Sequence, residues 1–401
     1  MAALPPPEAG MSRRPDEGSG AQVAAWPAPA AGIRAAVVGT GFIGVVHVEA
    51  LRRLGIEVAG VVGSSPDRAR EKPGLPEPYD SFEALLGDDT VDVVHITTPN
   101  HLHFPQVKAA LAAGKHVVCE KPLALTSAET SELVALAEES GLVHCTNFNI
   151  RFYGQCHAAR DRVRAGELGR VFNVHGGYLQ DWLLEDTDWN WRLDPAQGGS
   201  LRAVADIGSH WLDLVGFVTG KRVASVLADL ATVHPVRRVP TRPVETFSDG
   251  GGTERVDREL ASEDFAHVLV RFEDGARASL VLSQVSAGRK NRVWFEADGT
   301  EGALAWDSDA QEQLWLGHRD RPNELHWREP GRISDYPSGH AEGFPDSFKQ
   351  LYRAVYRAVE AGRMPDGETD FPTFHAGHEE VLVGEAIAAS AREGRWVEVV
   401  R

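Results

Sequence analysis

The sequence predicts an α/β protein in two parts: a parallel, doubly wound sheet with helices on both faces, then an α+β domain with an open, mainly antiparallel sheet. Two rhythms carry this reading. From Ile33 to Phe152 short apolar runs alternate with helical stretches, and strands buried on both faces read as continuous apolar runs. Beyond Phe152 strand runs follow one another directly, as antiparallel neighbours do. A third observation is the glycine-rich turn Gly39-Thr40-Gly41-Phe42-Ile43-Gly44 between the first strand and the first helix.

The elements follow in order. Residues 1–32 are rich in Pro, Ala and Gly without a periodic apolar face, so a disordered tail is expected there. They lack the basic start and apolar core of a secretory signal, and Met11 is an alternative start to Met1. Residues 33–152 form the first domain, with strands expected at Ile33–Val38, Val58–Val62, Val91–Thr97, Val117–Val118 and Val143–Phe148. Helices are expected at Phe104–Ala113 and Ser127–Ser140. Residues 153–401 form the second, opening with a helix at Gln155–Ala165. Strands at Val171–Gln180, Val223–Leu230, Phe265–Phe272, Ala276–Val285 and Arg292–Ala297 follow, with Asp274-Gly275 as a hairpin turn. Two helices, Ala341–Glu360 and His378–Glu393, and a strand at Trp396–Val400 complete the chain.

Composition removes whole classes of function. With 401 residues, 42% apolar and 25% charged, the chain is globular and long enough for two cores. No apolar run reaches the ~18 residues needed to cross a bilayer. Lys and Arg number 41 against 58 Asp and Glu, a formal charge of −17 that repels nucleic acid and anionic lipid. Cys119, Cys145 and Cys156 form no CxxC pair; scattered, odd-numbered thiols suit a reducing, cytoplasmic setting.

The glycine loop has the context that a dinucleotide site requires: a strand before it and a helix after it. Gly39 permits the tight turn, Gly41 lets a pyrophosphate approach the backbone, and Gly44 allows close packing of helix on strand. The helix start supplies unpaired N–H groups to phosphate, with Phe42 and Ile43 beside it. A Rossmann domain binding NAD or NADP is therefore expected. At the end of the second strand, where a carboxylate would select NAD, the chain carries Gly63-Ser64-Ser65-Pro66-Asp67-Arg68. No carboxylate stands at the usual ribose position to repel a 2′-phosphate, and Ser64, Ser65 and Arg68 could bind one, which tilts the reading to NADP.

Further motifs sit at the same sheet edge. Thr98-Pro99-Asn100 and His103 follow the third strand, where ligands of open α/β sheets bind. His101 and His103 form a His-x-His pair without an accompanying carboxylate or thiol cluster, so no metal is assigned. Glu120 and Lys121 follow the fourth strand, and a lysine there can bind a substrate hydroxyl and favour the alkoxide. In the second half, Asp206 and His210 stand four residues apart, one turn of one helix face. A carboxylate beside an imidazole raises its pKa and orients it as a proton acceptor. Trp182, Trp189 and Trp191 cluster within ten residues and offer flat faces to sugar C–H groups.

In this order and spacing, GTGFIG, TPNHLH, AAGKHVVCEKPLA and GGSLRAVADIGSH resemble the glucose–fructose oxidoreductase / inositol dehydrogenase / MocA family. The likeness extends from Ile33 to the C-terminus. It implies an NAD(P)-dependent oxidoreductase, often oligomeric (a homodimer or homotetramer), acting on a sugar or polyol. It further implies that Lys121, Asp206 and His210 are catalytic and that Asn149 lines the nicotinamide pocket. The segment GYLQDW, with GRKNRVWFEADGTEGAL and GHAEGFPDSF, is similar to the pyranose and anhydrosugar branch that includes levoglucosan dehydrogenase. That branch implies Gln180, Trp182, Arg192, His340 and Phe344 near the sugar. Two rivals keep the fold: a lyase or hydrolase using transient oxidation, and a non-catalytic NAD(P)-binding regulator.

Overall fold

The computed structural model describes residues 32–242, 252–331 and 333–401. The expectation for the N-terminal tail falls on residues 1–31, outside that range. Five parallel strands, β1 (Arg34–Val38), β2 (Glu57–Val62), β3 (Val93–Ile96), β4 (His116–Cys119) and β5 (His144–Thr146), form the first sheet in the order β2-β1-β3-β4-β5. A single parallel bridge from Val61 to Pro78 flanks β2. Counted as a vestigial strand, it completes the doubly wound order in which the chain reverses between β1 and β3, and ligands bind above such a reversal.

Helices α1 (Phe42–Arg53), α2 (Pro66–Arg70), α3 (Phe82–Leu86), α4 (His103–Ala112) and α5 (Ser127–Ser140) link these strands. Helix α5 begins with a full capping box between Thr126 and Glu129 and ends at the left-handed Gly141. These local signals are why its two ends were legible in the sequence.

After α6 (Gly154–Arg164), the chain builds β6 (Val171–Leu179), a short α7 (Pro195–Gly198), and α8 (Ser209–Thr219), then β7 (Val223–Ala231). A two-stranded hairpin of β8 (Val236–Pro240) and β9 (Arg255–Glu259) stands apart. The second sheet is completed by β10 (Phe265–Phe272), β11 (Arg277–Ser283), β12 (Arg292–Gly299), β13 (Ala303–Asp307), β14 (Gln313–Gly317), β15 (Glu324–Trp327) and the terminal β16 (Val397–Glu398). Its nine strands run β15-β14-β13-β12-β6-β11-β10-β7-β16, antiparallel except for β6 beside β11. The β10–β11 hairpin turns at Gly275, whose φ is +88°. Three of these strands, β13 to β15, and the β8–β9 hairpin go beyond the strands expected from sequence.

One face of this sheet is packed. Leu280, Leu282, Phe295 and Trp306 meet Trp211, Leu214 and Val215 of α8 in one core. The last two helices, α9 (Phe344–Glu360) and α10 (Phe374–Glu393), return to the first domain. Phe348, Leu351, Tyr352 and Val355 of α9 pack on Val37, Val46, Leu51 and Val93. Phe374 of α10 packs with Cys119, Leu123 and Leu133, while Val383 and Ile387 join the second core. A boundary drawn at residue 152 therefore does not separate the domains in space, because the C-terminal helices cover the first sheet.

A buried ionic cluster braces the segment between α7 and α8. Arg202 and Arg237 both engage Asp264, with Arg237 Nη2 donating at 2.8 Å. Glu263 Oε1 accepts from the backbone N–H groups of Arg202 at 2.8 Å and Val204 at 2.9 Å. Truncating one member of such a cluster strands the opposite charge away from water. Arg202→Met is expected to destabilise the fold by about 3–5 kcal/mol in denaturant unfolding; a loss under about 0.5 kcal/mol would mean the cluster is solvated.

Candidate active site

The glycine loop has the shape a dinucleotide needs. Gly39 holds φ +109°, and a Cβ there would lie 2.5 Å from Thr97 Oγ1. At Gly44 a Cβ would lie 2.0 Å from the carbonyl oxygen of Gly39. Gly41, by contrast, faces open space: a Cβ there meets nothing within 4 Å. The first two glycines let the turn close, and the third leaves room for phosphates over the start of α1. Thr97 Oγ1 donates within reach of Val38 O and Gly39 O and ties this loop to the end of β3.

Beside the loop opens a cavity of about 840 Å³. Both domains line it. From the first come Gly41, Phe42, Ile43, Thr98, Asn100, His103, Glu120, Lys121 and Asn149; from the second come Gln180, Trp182, Arg192, Asp206, His210 and Phe344. Fifteen of the residues expected at the site thus meet in one chamber. Several are fixed by bonds between loops. His103 bridges two of them, its ring nitrogens 2.7 Å from Pro122 O and 2.8 Å from Thr98 O. Asn100 donates to Gly198 O at 3.0 Å, and Asn149 donates to Ser347 Oγ of α9 at 2.8 Å. Phe42 and Phe344 stack with centroids 6.5 Å apart.

Lys121 and Asp206 form the junction. Lys121 Nζ donates to Asp206 Oδ1 at 2.7 Å and to its backbone oxygen at 2.8 Å. Arg192 Nε donates to the same Oδ1 at 3.2 Å, and Gln284 Nε2 donates to Oδ2 at 2.8 Å. Burial alone would raise this carboxyl; the charges of Lys121 and Arg192 outweigh it and hold Asp206 well below the usual carboxylate range.

Asp206 and His210 do not sit on one regular α-helical face. Val204–Gly208 is a π-helical turn running into α8, and such turns recur at functional sites. Asp206 does act to lift the imidazole, as expected, but the lift is outweighed. Its oxygens are taken by Lys121, Arg192 and Gln284, while burial and then the Lys121 charge push His210 down to about 3. Glu120 and Asp206 only partly offset that fall. His210 Nδ1 is buried without a partner among the described residues.

Opposite this group stands a polar, aromatic wall. Tyr178 Oη and Gln180 Nε2 both donate to Asn291 Oδ1, at 2.8 and 2.7 Å, and Trp182 Nε1 donates to Gln180 Oε1 at 2.7 Å. Trp189 and Trp191 also line the cavity, and the Arg192 guanidinium lies 4.3 Å from the Trp191 ring centroid. Gln284, Tyr178 and Asn291 were missed by sequence reasoning. They lie at strand ends, and only the register of β6, β11 and β12 brings them together.

Other expected residues stand outside the chamber. Gly39 and Gly44 belong to the loop without lining the chamber, and Pro99 stands between two lining residues. Ser64, Ser65 and Arg68 stand at the end of β2; Ser65 caps α2 by accepting from Arg68 N at 3.3 Å. His340 is corrected: it is exposed and does not line the cavity, and Arg328 holds its backbone oxygen at 2.8 Å. Lys72, unforeseen, donates to Thr40 O in the glycine loop at 2.7 Å. Among the described residues no group of three or more His, Cys, Asp or Glu could hold a metal ion, and no helix is long and apolar enough to cross a membrane.

Because Gly41 has an ordinary negative φ of −71° and open space around it, a side chain there should fold yet block the phosphates. Gly41→Val is expected to keep the wild-type melting temperature and to weaken dinucleotide binding at least about ten-fold by fluorescence titration. Unchanged affinity would move the pyrophosphate elsewhere.

Known proteins resemble this chain in sequence and fold. Residues 33–148 match the model of an oxidoreductase family with an NAD-binding Rossmann fold, and residues 156–305 match the GFO/IDH/MocA C-terminal domain. Levoglucosan dehydrogenase of Pseudarthrobacter phenanthrenivorans is 28% identical over 93% of this chain and 91% of its own length. D-xylose 1-dehydrogenase (NADP(+)) 2 of Haloferax volcanii is 32% identical over 66% of this chain and 80% of its own. A solved levoglucosan dehydrogenase in complex with NADH and levoglucosan superposes with a TM-score of 0.81 at 25% identity, covering 92% of this chain and 99% of that one.

Proposed function

The chain belongs to the GFO/IDH/MocA oxidoreductase family and is an NAD(P)-dependent dehydrogenase; on that premise we propose that it moves a hydride to or from a secondary alcohol carbon of a sugar, an anhydrosugar or a polyol. The observation that carries this is the 2.7 Å contact of Lys121 with Asp206, with His210 in the same chamber as the glycine loop. Trp182, Trp189 and Trp191 line that chamber and suit a pyranose ring, with Gln180, Tyr178 and Asn291 supplying polar partners.

A bound nicotinamide supplies the hydride acceptor. The chain supplies the rest. Lys121, anchored by Asp206, directs its remaining N–H toward the substrate oxygen and favours negative charge there. Arg192 and Gln284 hold Asp206 so that Lys121 keeps its aim. His210 takes the hydroxyl proton; with Nδ1 buried, Nε2 is the nitrogen left to receive it.

Absence of a carboxylate at Ser64 and Ser65, with Arg68 nearby and Lys72 on the glycine loop, supports NADP as a cofactor. The outer face of the second sheet carries a groove lined by Leu227, Leu269, Val281 and Trp294, which supports a homo-oligomer with a second copy as cover.

The test is a panel of monosaccharides, anhydrosugars and inositols with NAD⁺ and NADP⁺, followed by the absorbance of reduced nicotinamide. Lys121→Ala and His210→Ala should each lose about 10²–10⁴-fold in kcat while still binding dinucleotide. Near-normal rates in both would remove the proposed roles. Ser64→Asp should shift kcat/KM toward NAD⁺ by about ten-fold or more relative to NADP⁺; an unchanged ratio would refute the cofactor reading. With its imidazole near 3, His210 is already the free base above about pH 5. Oxidation by the wild type should then show no acid limb between about pH 5 and pH 8, and a limb inside that range would contradict the assignment.

A further inference from the structure

Behind the cavity wall runs a line of titratable groups that the mechanism above does not use. Glu120 is 8% exposed, and its Oε1 lies 3.1 Å from His47 Nε2 on α1. His47 Nδ1 lies 3.0 Å from His95 Nδ1 on β3, and His95 Nε2 lies 3.0 Å from the hydroxyl of Tyr356 on α9. Both imidazoles and the phenol are 0% exposed.

One polarity satisfies every group in this line. Burial, and then the neighbouring His47, push His95 well below its ordinary pKa, so its ring has one N–H and one bare nitrogen. An ionised Glu120 can only accept, which sets the hydrogen of His47 on Nε2. His47 Nδ1 is then the acceptor for His95 Nδ1–H, and His95 Nε2 accepts from the Tyr356 hydroxyl. The opposite order would need two hydrogens on His47. It would also leave the buried Tyr356 hydroxyl hydrogen without an acceptor among the described residues, at the cost of an unmade hydrogen bond.

We propose that Tyr356, His95 and His47 are positioning residues, a one-way hydrogen-bond chain that fixes the Glu120 carboxylate as an anion in the cavity wall beside Lys121 and His210. Burial acts to raise Glu120, but His47 and Lys121 bring it below the ordinary carboxylate range. Its charge in turn opposes the downward pull of burial and Lys121 on His210. The other groups that face Glu120 are Asn147, which donates to Oε1, His103 of α4, Tyr352 of α9, and the buried thiols Cys119 and Cys145. None of these places a cation at Oε1. The chain is not a proton conduit, because passing a proton along it would leave a tyrosinate at Tyr356, whose hydroxyl burial pushes well above 10.

The inference rests on the dehydrogenase reading, and its tests separate the two. The first needs no turnover: ¹⁵N-histidine NMR of the wild-type protein, with His47→Gln and His95→Gln used for assignment. His47 should report the Nε2–H tautomer and His95 the Nδ1–H tautomer. Matching tautomers, or a doubly protonated His47, would overturn the proposal. The second is the pH profile of kcat/KM on whichever substrate the panel identifies. His47→Leu should raise the pH at which Glu120 takes up a proton, and with it the Glu120 limb of the profile, by about 1–2 pH units, with Tyr356→Phe giving a smaller shift the same way. His47→Gln, which keeps an N–H toward Glu120, should restore most of the wild-type profile. A wild-type profile in both folded His47→Leu and Tyr356→Phe would overturn the chain while leaving the dehydrogenase reading intact; a wild-type protein inactive on the whole panel would count against the latter alone.

Discussion

The ion pair between Lys121 and Asp206 is the constraint on which the site depends. One partner follows the fourth strand of the first sheet; the other rides on a π-helical turn 85 residues later in the second domain. A buried pair of this kind adds little net stability, because desolvating both charges offsets their attraction. Its effect is registration. Either charge alone would be stranded away from water, so the two domains are held in the one arrangement that joins them. Asn100 to Gly198 and Asn149 to Ser347 repeat the same logic with neutral partners. The return of α9 and α10 onto the first sheet gives the junction a rigid apolar backing.

That registration also divides labour among the ionisable groups. Asp206, saturated by Lys121, Arg192 and Gln284, stays an anion. His210, excluded from that network and buried, stays neutral, as the proposed proton acceptor must. Two titratable groups a helical turn apart are pushed in functionally opposite directions by where their neighbours stand. Glu120, at the rear, adds the negative charge that keeps the imidazole from being suppressed further.

Much of this was legible because it is local. The glycine loop, the apolar strands and the capped α5 are each specified by residues within one short stretch, and the structure reproduces them within a few positions. What failed was non-local. A spacing of four at Asp206 and His210 implied a partnership, yet the carboxylate is satisfied by residues from three remote segments. Gln284 could not be singled out, since a glutamine at a strand end carries no signal until the sheet register turns it toward Asp206. The helix expected at Ala341–Glu360 carried no sign of which sheet it would cover. His340 was placed near the sugar by likeness alone, and the loop that carries it is instead pinned outward by Arg328.

The most direct measurement follows a deuterium placed on the carbon that the enzyme oxidises. If the two domains assemble a single hydride-transfer site, the label should appear on the reduced nicotinamide ring, one atom per turnover and undiluted by solvent hydrogen, while the hydroxyl proton is lost to water. Deuterium washed into the solvent, or turnover that returns the cofactor oxidised with the label still on the product, would contradict the account.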